Sequence, residues 1–290
     1  MNEILVKVLN KLKIFKYFNF SKTIRINDKK FIVPVINDVG SSNLYISEPW
    51  MINVLKIAFS ISGKSFIDVG INTGQTLLKI KSVSPEINYI GFEPNPFCIN
   101  YLQRLIQVNN FQNTTILPVG ISNKTEIGTL HFMNDSIVDS SASSIGNFRE
   151  EHKEKKKTYI PLFDYKDLKD KVNLDKISIL KIDVEGGELE VIKSFKEDIA
   201  KDEPIILMEV LPVYNDLSTF RIERQNKIQE LLRNLDYEIF RVIKQNKLLL
   251  RFDKIKEIGI HSDLDRCDYV MVPKSRVTQF IEIAKDFIGY

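Results

Sequence analysis

The sequence predicts an α/β fold with a mostly parallel, doubly wound sheet, and two observations predict it. From Ser65 onward, short unbroken apolar runs alternate with segments of helical periodicity. Four of those runs lead into an acid: Asp68, Glu93, Asp183 and Glu209. Unbroken apolar strands are buried on both faces, which requires helices above and below the sheet. Ligands of such sheets bind beyond the carboxyl ends of the strands, so the acids stand where function is expected.

The elements follow in chain order. Ile4, Leu5, Val8, Leu9, Leu12 and Phe15 recur at helical spacing, with Lys7, Lys11, Lys13 and Lys16 largely on other faces. This pattern is a basic amphipathic helix. Its apolar stripe is expected to pack on its own domain; contact with a membrane surface is the less favoured reading. "KTIRINDKKFIVPV" reads as a hairpin turning at Asn27-Asp28, and "SEPWMINVLKIAFSIS" as a helix capped by Ser47. Residues 1–62 thus form an N-terminal extension, and residues 63–290 the main domain. In that domain "SFIDV", "NYIGFE", "TTILPVGIS", "ISILKIDV" and "PIILMEV" are strands. Helices follow the first, second, fourth and fifth of them. "YEIFRVI" and "KLLLRF" flank a turn at Gln245-Asn246, and "DYVMVP" is the last strand.

Composition bounds the function. The 290 residues carry Lys+Arg 41 against Asp+Glu 38, a formal net charge of +3. A dedicated nucleic-acid binder would show a basic stripe, so no nucleic-acid partner is expected. Cys98 and Cys267 form neither a disulfide framework nor a zinc site, which makes a reducing cytoplasm the default location. The three histidines, His131, His152 and His261, have no metal-ligand spacing. No apolar run approaches the roughly 20 residues of a membrane span. Nothing in these patterns sets an oligomeric state.

The loop after the first strand is informative. A dinucleotide fingerprint places glycine where this chain has Asp68, followed by Gly70, Asn72 and Gly74. A carboxylate there repels a pyrophosphate and suits a cation. S-adenosylmethionine carries an ammonium and a sulfonium and no phosphate. Glu93, after the second strand, is placed to accept the hydroxyls of a ribose. These features argue against a nicotinamide-dependent oxidoreductase. They also argue against a non-catalytic module that merely keeps the fold.

"FIDVGINTGQT", "GFEPNP", "LKIDVEGGELEVIKSF" and "IILMEV" together resemble the FkbM family of S-adenosylmethionine-dependent methyltransferases, over roughly Ser65 to Val210. The resemblance implies a Rossmann-like class I methyltransferase fold and methyl transfer to a hydroxyl of a sugar, surface glycan or glycosylated metabolite. Carried over by position, it implies that Asp68, Gly70, Asn72, Gly74, Glu93 and Asn95 line the cofactor site. Asp183, Glu185 and Gly186 match its second signature.

A hydroxyl acceptor needs a base. With no histidine at a strand end, Asp183 is the first candidate and Glu209 the second. Lys181 alternates with Asp183 and shares its face. A lysine on a buried strand needs a partner, with Asp183 or Glu209 within reach. Magnesium held by Asp183, Glu185 and Glu209 ranks below metal-free catalysis. The serine-rich stretch Asn134 to Phe148 reads as a lid facing a sugar or as a flexible loop, and "EEHKEKKK" (150–157) as a solvated loop.

Overall fold

The computed structural model describes residues 3–12, 14–146, 148, 154–172 and 176–289. Helix α1 (Glu3–Lys11) leads to the hairpin β1 (Phe20–Ile26) and β2 (Lys29–Val35), then to α2 (Trp50–Ile61). Next come β3 (Ser65–Val69), α3 (Gln75–Val83), β4 (Asn88–Phe92), α4 (Pro96–Asn109) and β5 (Thr114–Leu117). Three strands follow, β6 (Gly120–Ile121), β7 (Glu126–Phe132) and β8 (Lys156–Phe163), then α5 (Tyr165–Val172). The chain continues with β9 (Ile179–Ile182), α6 (Glu188–Ser194), α7 (Lys196–Asp202), β10 (Ile205–Glu209) and α8 (Thr219–Asn234). It ends with β11 (Tyr237–Gln245), β12 (Leu248–Ile255), β13 (Asp268–Pro273) and α9 (Val277–Ile283).

Eight strands form the central sheet in the order β12-β11-β13-β10-β9-β3-β4-β5. The five strands from β10 to β5 pair in parallel. Beyond β10 the sheet turns antiparallel through β13, β11 and β12. The sheet is therefore mixed, and the mostly parallel expectation holds for one half of it. A two-residue turn joins β11 to β12, and a tight turn of that kind permits only antiparallel neighbours, while β13 enters between β10 and β11 antiparallel to both. That turn uses Asn246 and Lys247, both at positive φ, one residue later than expected.

Alternation along the strands fills a layer on each side. Ile67, Ile90, Leu180 and Ile206 pack on Leu189, Ile192 and Phe195 around α6 and on Ile228 and Leu232 of α8. Phe66, Tyr89, Ile179 and Leu207 pack on Val54 and Leu55 of α2, Leu77 of α3 and Phe280 of α9. The β1–β2 hairpin turns at Asn27-Asp28, both at positive φ as a two-residue hairpin requires. Its Phe31, Val33 and Val35 cover Tyr101 and Leu105 of α4.

Four local readings are corrected. "TTILPVGIS" is two strands, since Pro118 interrupts the ladder and β6 joins β7 and β8 in a separate three-stranded sheet. Ser47 does not cap α2; Pro49 holds that position, and Ser47 Oγ donates to Gln75 Oε1 at 2.6 Å. The N-terminal stripe faces outward: Val6 and Phe15 are buried and Leu9 is half-buried, while Ile4, Leu5, Val8 and Leu12 are exposed. The charged stretch from Lys155 to Lys157 enters β8, and residues 150–153 of it, with His152, lie outside the described residues.

One glycine holds two distant segments together. Gly70 has φ +92°, and a Cβ on it would lie 1.9 Å from the carbonyl oxygen of Asp183. Gly259 has φ +74° with open space around it. Gly70→Ala should therefore lower stability by at least about 3 kcal/mol, backbone strain and overpacking combined. Gly259→Ala should cost only the left-handed penalty of about 1–2 kcal/mol. Urea unfolding of the two variants measures the difference, and equal losses would show that the contact with Asp183 does not matter.

Candidate functional site

The carboxyl ends of β3, β4, β9 and β10 open on one side of the sheet. Because β13 runs the opposite way, its first residue, Asp268, pairs with Glu209 at that same rim. Here the chain must satisfy several charges with little water. It does so by pairing.

Lys181 Nζ lies 3.2 Å from Asp68 Oδ1 and 3.2 Å from Asp183 Oδ2. Burial by itself lowers the pKa of the Lys181 ammonium, but Asp183 and Asp68 outweigh it and hold the pKa above the ordinary lysine value. Burial pushes the Asp68 carboxyl up, against the pull of Lys181 and of the Tyr89 hydroxyl, which donates to Asp68 Oδ2 at 2.8 Å. The cation that Asp68 meets is thus Lys181. Asp183 is half-buried at the rim, and Glu209 is not the partner of Lys181.

Glu93 is held by the backbone. Asn72 N donates to its Oε2 and Asn95 N to its Oε1, each at 2.8 Å. Asn72 takes φ +50°, which turns its N–H toward the acid, and its own Oδ1 accepts from Thr73 N at 2.7 Å. Burial raises the Glu93 pKa to about 7, opposed by those two N–H groups. Asn95 caps α4 by accepting from Phe97 N at 3.0 Å, while its Nδ2 donates to the Ile137 carbonyl at 2.8 Å.

The remaining acids repel one another. Burial pushes the Glu209 carboxyl well above its ordinary range, and Asp183, Asp268, Glu185 and Glu48 add to the effect. Both effects disfavour the ionised form of Glu209. Asp268, raised by burial to about 6, is relieved by its ion pair with Lys244. Glu48, at φ +49°, pairs with the buried Lys79 at 2.9 Å.

A cavity of about 620 Å³ opens among these groups. Its walls include Gly70, Asn72, Glu93 and Asn95 on one side and Lys181, Asp183, Glu185 and Glu209 on another. Ile121, Leu130, Ile160 and Leu162 of the small sheet give it an apolar wall. Asp68 and Gly74 do not line it. Asp68 is fully buried beneath it, and a Cβ on Gly74 would meet Leu102 and Leu105 of α4. Gly74 therefore serves the turn into α3 and its packing. The 134–148 stretch borders the cavity through Ser136, Ser140 and Ser144. It is staked from within by Asp139, which accepts from Met133 N, Asn134 N and Ser141 N. Among the described residues, no group of three His, Cys, Asp or Glu side chains is placed to hold a metal ion.

Glu48, Tyr89 and Asp268 are rim or support residues that the sequence reading missed. Asp268 carried a usable signal, since an antiparallel strand brings its first residue, not its last, to this rim. Glu48 carried none, because it lies in the extension, far in sequence from the strand ends.

Residues 68–239 match the Methyltransferase FkbM domain. Methyltransferase sdnD of Sordaria araneosa is 26% identical over 161 residues, 47% of this chain and 62% of that one. The match thus spans less than two thirds of that relative. Among solved structures, methyltransferase FkbM from Methylobacillus flagellatus KT is 14% identical, with a TM-score of 0.41 over 72% of this chain and 43% of that one. The Podospora anserina methyltransferase PaMTH1, solved with S-adenosylhomocysteine bound, is 10% identical, with a TM-score of 0.42 over 94% and 96%. The domain match covers more than half of the chain, which therefore belongs to the FkbM family of S-adenosylmethionine-dependent methyltransferases.

Proposed function

We propose that this chain is an O-methyltransferase on a Rossmann-like class I scaffold, acting on a hydroxyl of a sugar, surface glycan or glycosylated metabolite. The observation that carries the reading is the single cavity joining Glu93 to Asp183. Its volume suits a nucleoside-sized ligand with room for part of an acceptor. The fit to S-adenosylmethionine rests on the donor set. Each Glu93 oxygen, engaged by one backbone N–H, keeps a lone pair for a ribose hydroxyl. The apolar wall suits a flat base, and the acidic rim suits an ammonium. The strand order also supports the scaffold, with β3 central and flanked by β4 and β9. Residues 1–62 are assigned as an extension that covers α4 and supplies Glu48.

S-adenosylmethionine, when bound, supplies an electrophilic methyl carbon. The chain's task is to orient the acceptor and remove its proton. Asp183 is the base: Lys181 engages Oδ2 and leaves the second oxygen for a hydroxyl. Glu209, whose ionised form burial and the neighbouring acids disfavour, lines the same cavity and faces the acceptor. Serine hydroxyls and carboxylates around the rim match a polyol rather than an apolar acceptor. Lys181 supplies the positive charge between Asp68 and Asp183, and the mechanism is metal-free.

Asp183→Asn should lower turnover by about 10²–10⁴-fold with S-adenosylhomocysteine binding retained. Near-normal turnover would shift the assignment elsewhere, and lost binding would place Asp183 in the cofactor site. Lys181→Met should lower turnover as well, because Asp183 Oδ2 loses the ammonium that holds it in place. Unchanged turnover would mean that Lys181 does not position the base.

Glu93 gives a pH test of cofactor binding. Only its ionised form accepts both ribose hydroxyls, so affinity should fall as pH drops through about 7. The limiting slope is about tenfold per pH unit, with proton release on binding near neutrality. Calorimetry with S-adenosylhomocysteine in buffers of different ionisation enthalpy measures both. Glu93→Gln should bind more weakly and without this slope; a slope that survives would exclude Glu93 as its source.

A further inference from the structure

Helix α1 turns the wrong side outward for a helix that only packs on its domain. At about 100° per residue, Val6, Leu9 and Asn10 share the inner side, and Val6 alone of these is fully buried. The opposite side carries Ile4, Leu5, Val8 and Leu12, which are 46% to 70% exposed. Tyr17 and Phe18, just beyond, are 82% and 57% exposed. Lys7 and Lys11 border the stripe, and Lys16 follows it; all three are exposed. A surface helix ordinarily shows water its polar side. Here six large apolar side chains share one surface with three lysines.

The charge names the occupant. Residues 1–35 hold eight Lys and Arg against two Asp and Glu, so the chain's net positive charge resides in this extension. A partner must offer an apolar layer and negative charge together. A second copy of the chain would offer the layer but bring lysine against lysine. An anionic bilayer offers both, its acyl boundary to the stripe and its headgroups to the lysines. We propose that this face of α1 docks on an anionic phospholipid membrane. Asn10 of α1 lines the cavity, as does Tyr45, whose ring lies 6.0 Å from Lys7 Nζ. Docking thus sets a wall of the cavity beside the lipid headgroups.

The test is flotation of the full chain with vesicles of phosphatidylcholine, with or without phosphatidylglycerol. The chain should float with the anionic vesicles and not with the neutral ones. Binding should weaken at least about fivefold in about 1 M salt, where the screening length is about 3 Å. The double variant Ile4→Asp/Val8→Asp should bind at least about tenfold more weakly. The pair Lys11→Glu/Lys16→Glu, which leaves the stripe intact, should lose the preference for anionic lipid. Unchanged melting and S-adenosylhomocysteine binding confirm that both variants fold, and that binding readout is independent of vesicles. No flotation of the wild type, equal flotation with neutral vesicles, or unaltered flotation of both variants would overturn the proposal. So would a dimer in sedimentation that Ile4→Asp/Val8→Asp dissolves, since a second copy would then be the occupant.

Discussion

Everything at the rim depends on one buried ammonium. Taking a lysine and a carboxylate out of water costs several kcal/mol per ion, which only close pairing offsets. Lys181 meets that demand with two acids from two strands, Asp68 on β3 and Asp183 beyond β9. Tyr89 on β4 then satisfies the other oxygen of Asp68. Three adjacent strands are tied by one charge cluster, in a register that a slip of one residue would abolish. Removing Lys181 leaves two facing carboxylates without their cation, a loss of about 3–5 kcal/mol.

The same scarcity of water sorts the acids into different tasks. Burial lifts Glu93 to about 7 and Asp268 to about 6 and pushes Glu209 well above its ordinary range, while Lys181 keeps a counter-charge beside Asp183. Environments that push neighbouring carboxyls apart are how one site runs donor and acceptor chemistry together. The arrangement has a thermodynamic sign. Glu93 titrates higher folded than its ordinary 4.5, so its contribution to stability is fully present below about 4.5 and is lost as pH rises through about 7. The free protein at neutral pH therefore holds an acid under tension.

Much of this was legible in the sequence because it is periodic. Unbroken apolar runs announced β3, β4, β9 and β10, and the alternation of Lys181 with Asp183 put both on one face. The acids at the strand ends were visible for the same reason. What escaped was non-local. The sequence cannot show that Asp68 points at a lysine 113 residues away rather than at a ligand. Strands β7 and β8 pair with each other and β8 with β6, away from the central sheet, and their partial burial leaves a weak pattern. Lys79 and Lys81 lie on α3. They are buried because Glu48 pairs with Lys79, and because the carbonyls of Pro85, Ile87 and Gln112 receive Lys81. The outward turn of α1 escaped because periodicity locates a stripe without saying which way it faces.

The contact between Gly70 and the Asp183 carbonyl has a consequence for how such chains change over generations. The glycine loop and the second signature are read as separate words, yet sterically they form one interlocked joint. Neither can drift alone. A chimera that imports residues 68–74 from a distant homologue while keeping residues 183–187 would bring together halves fitted to other counterparts. Recombination within this scaffold therefore has a forbidden interval, running from the first motif to the second, inside which a crossover separates surfaces that were shaped against each other.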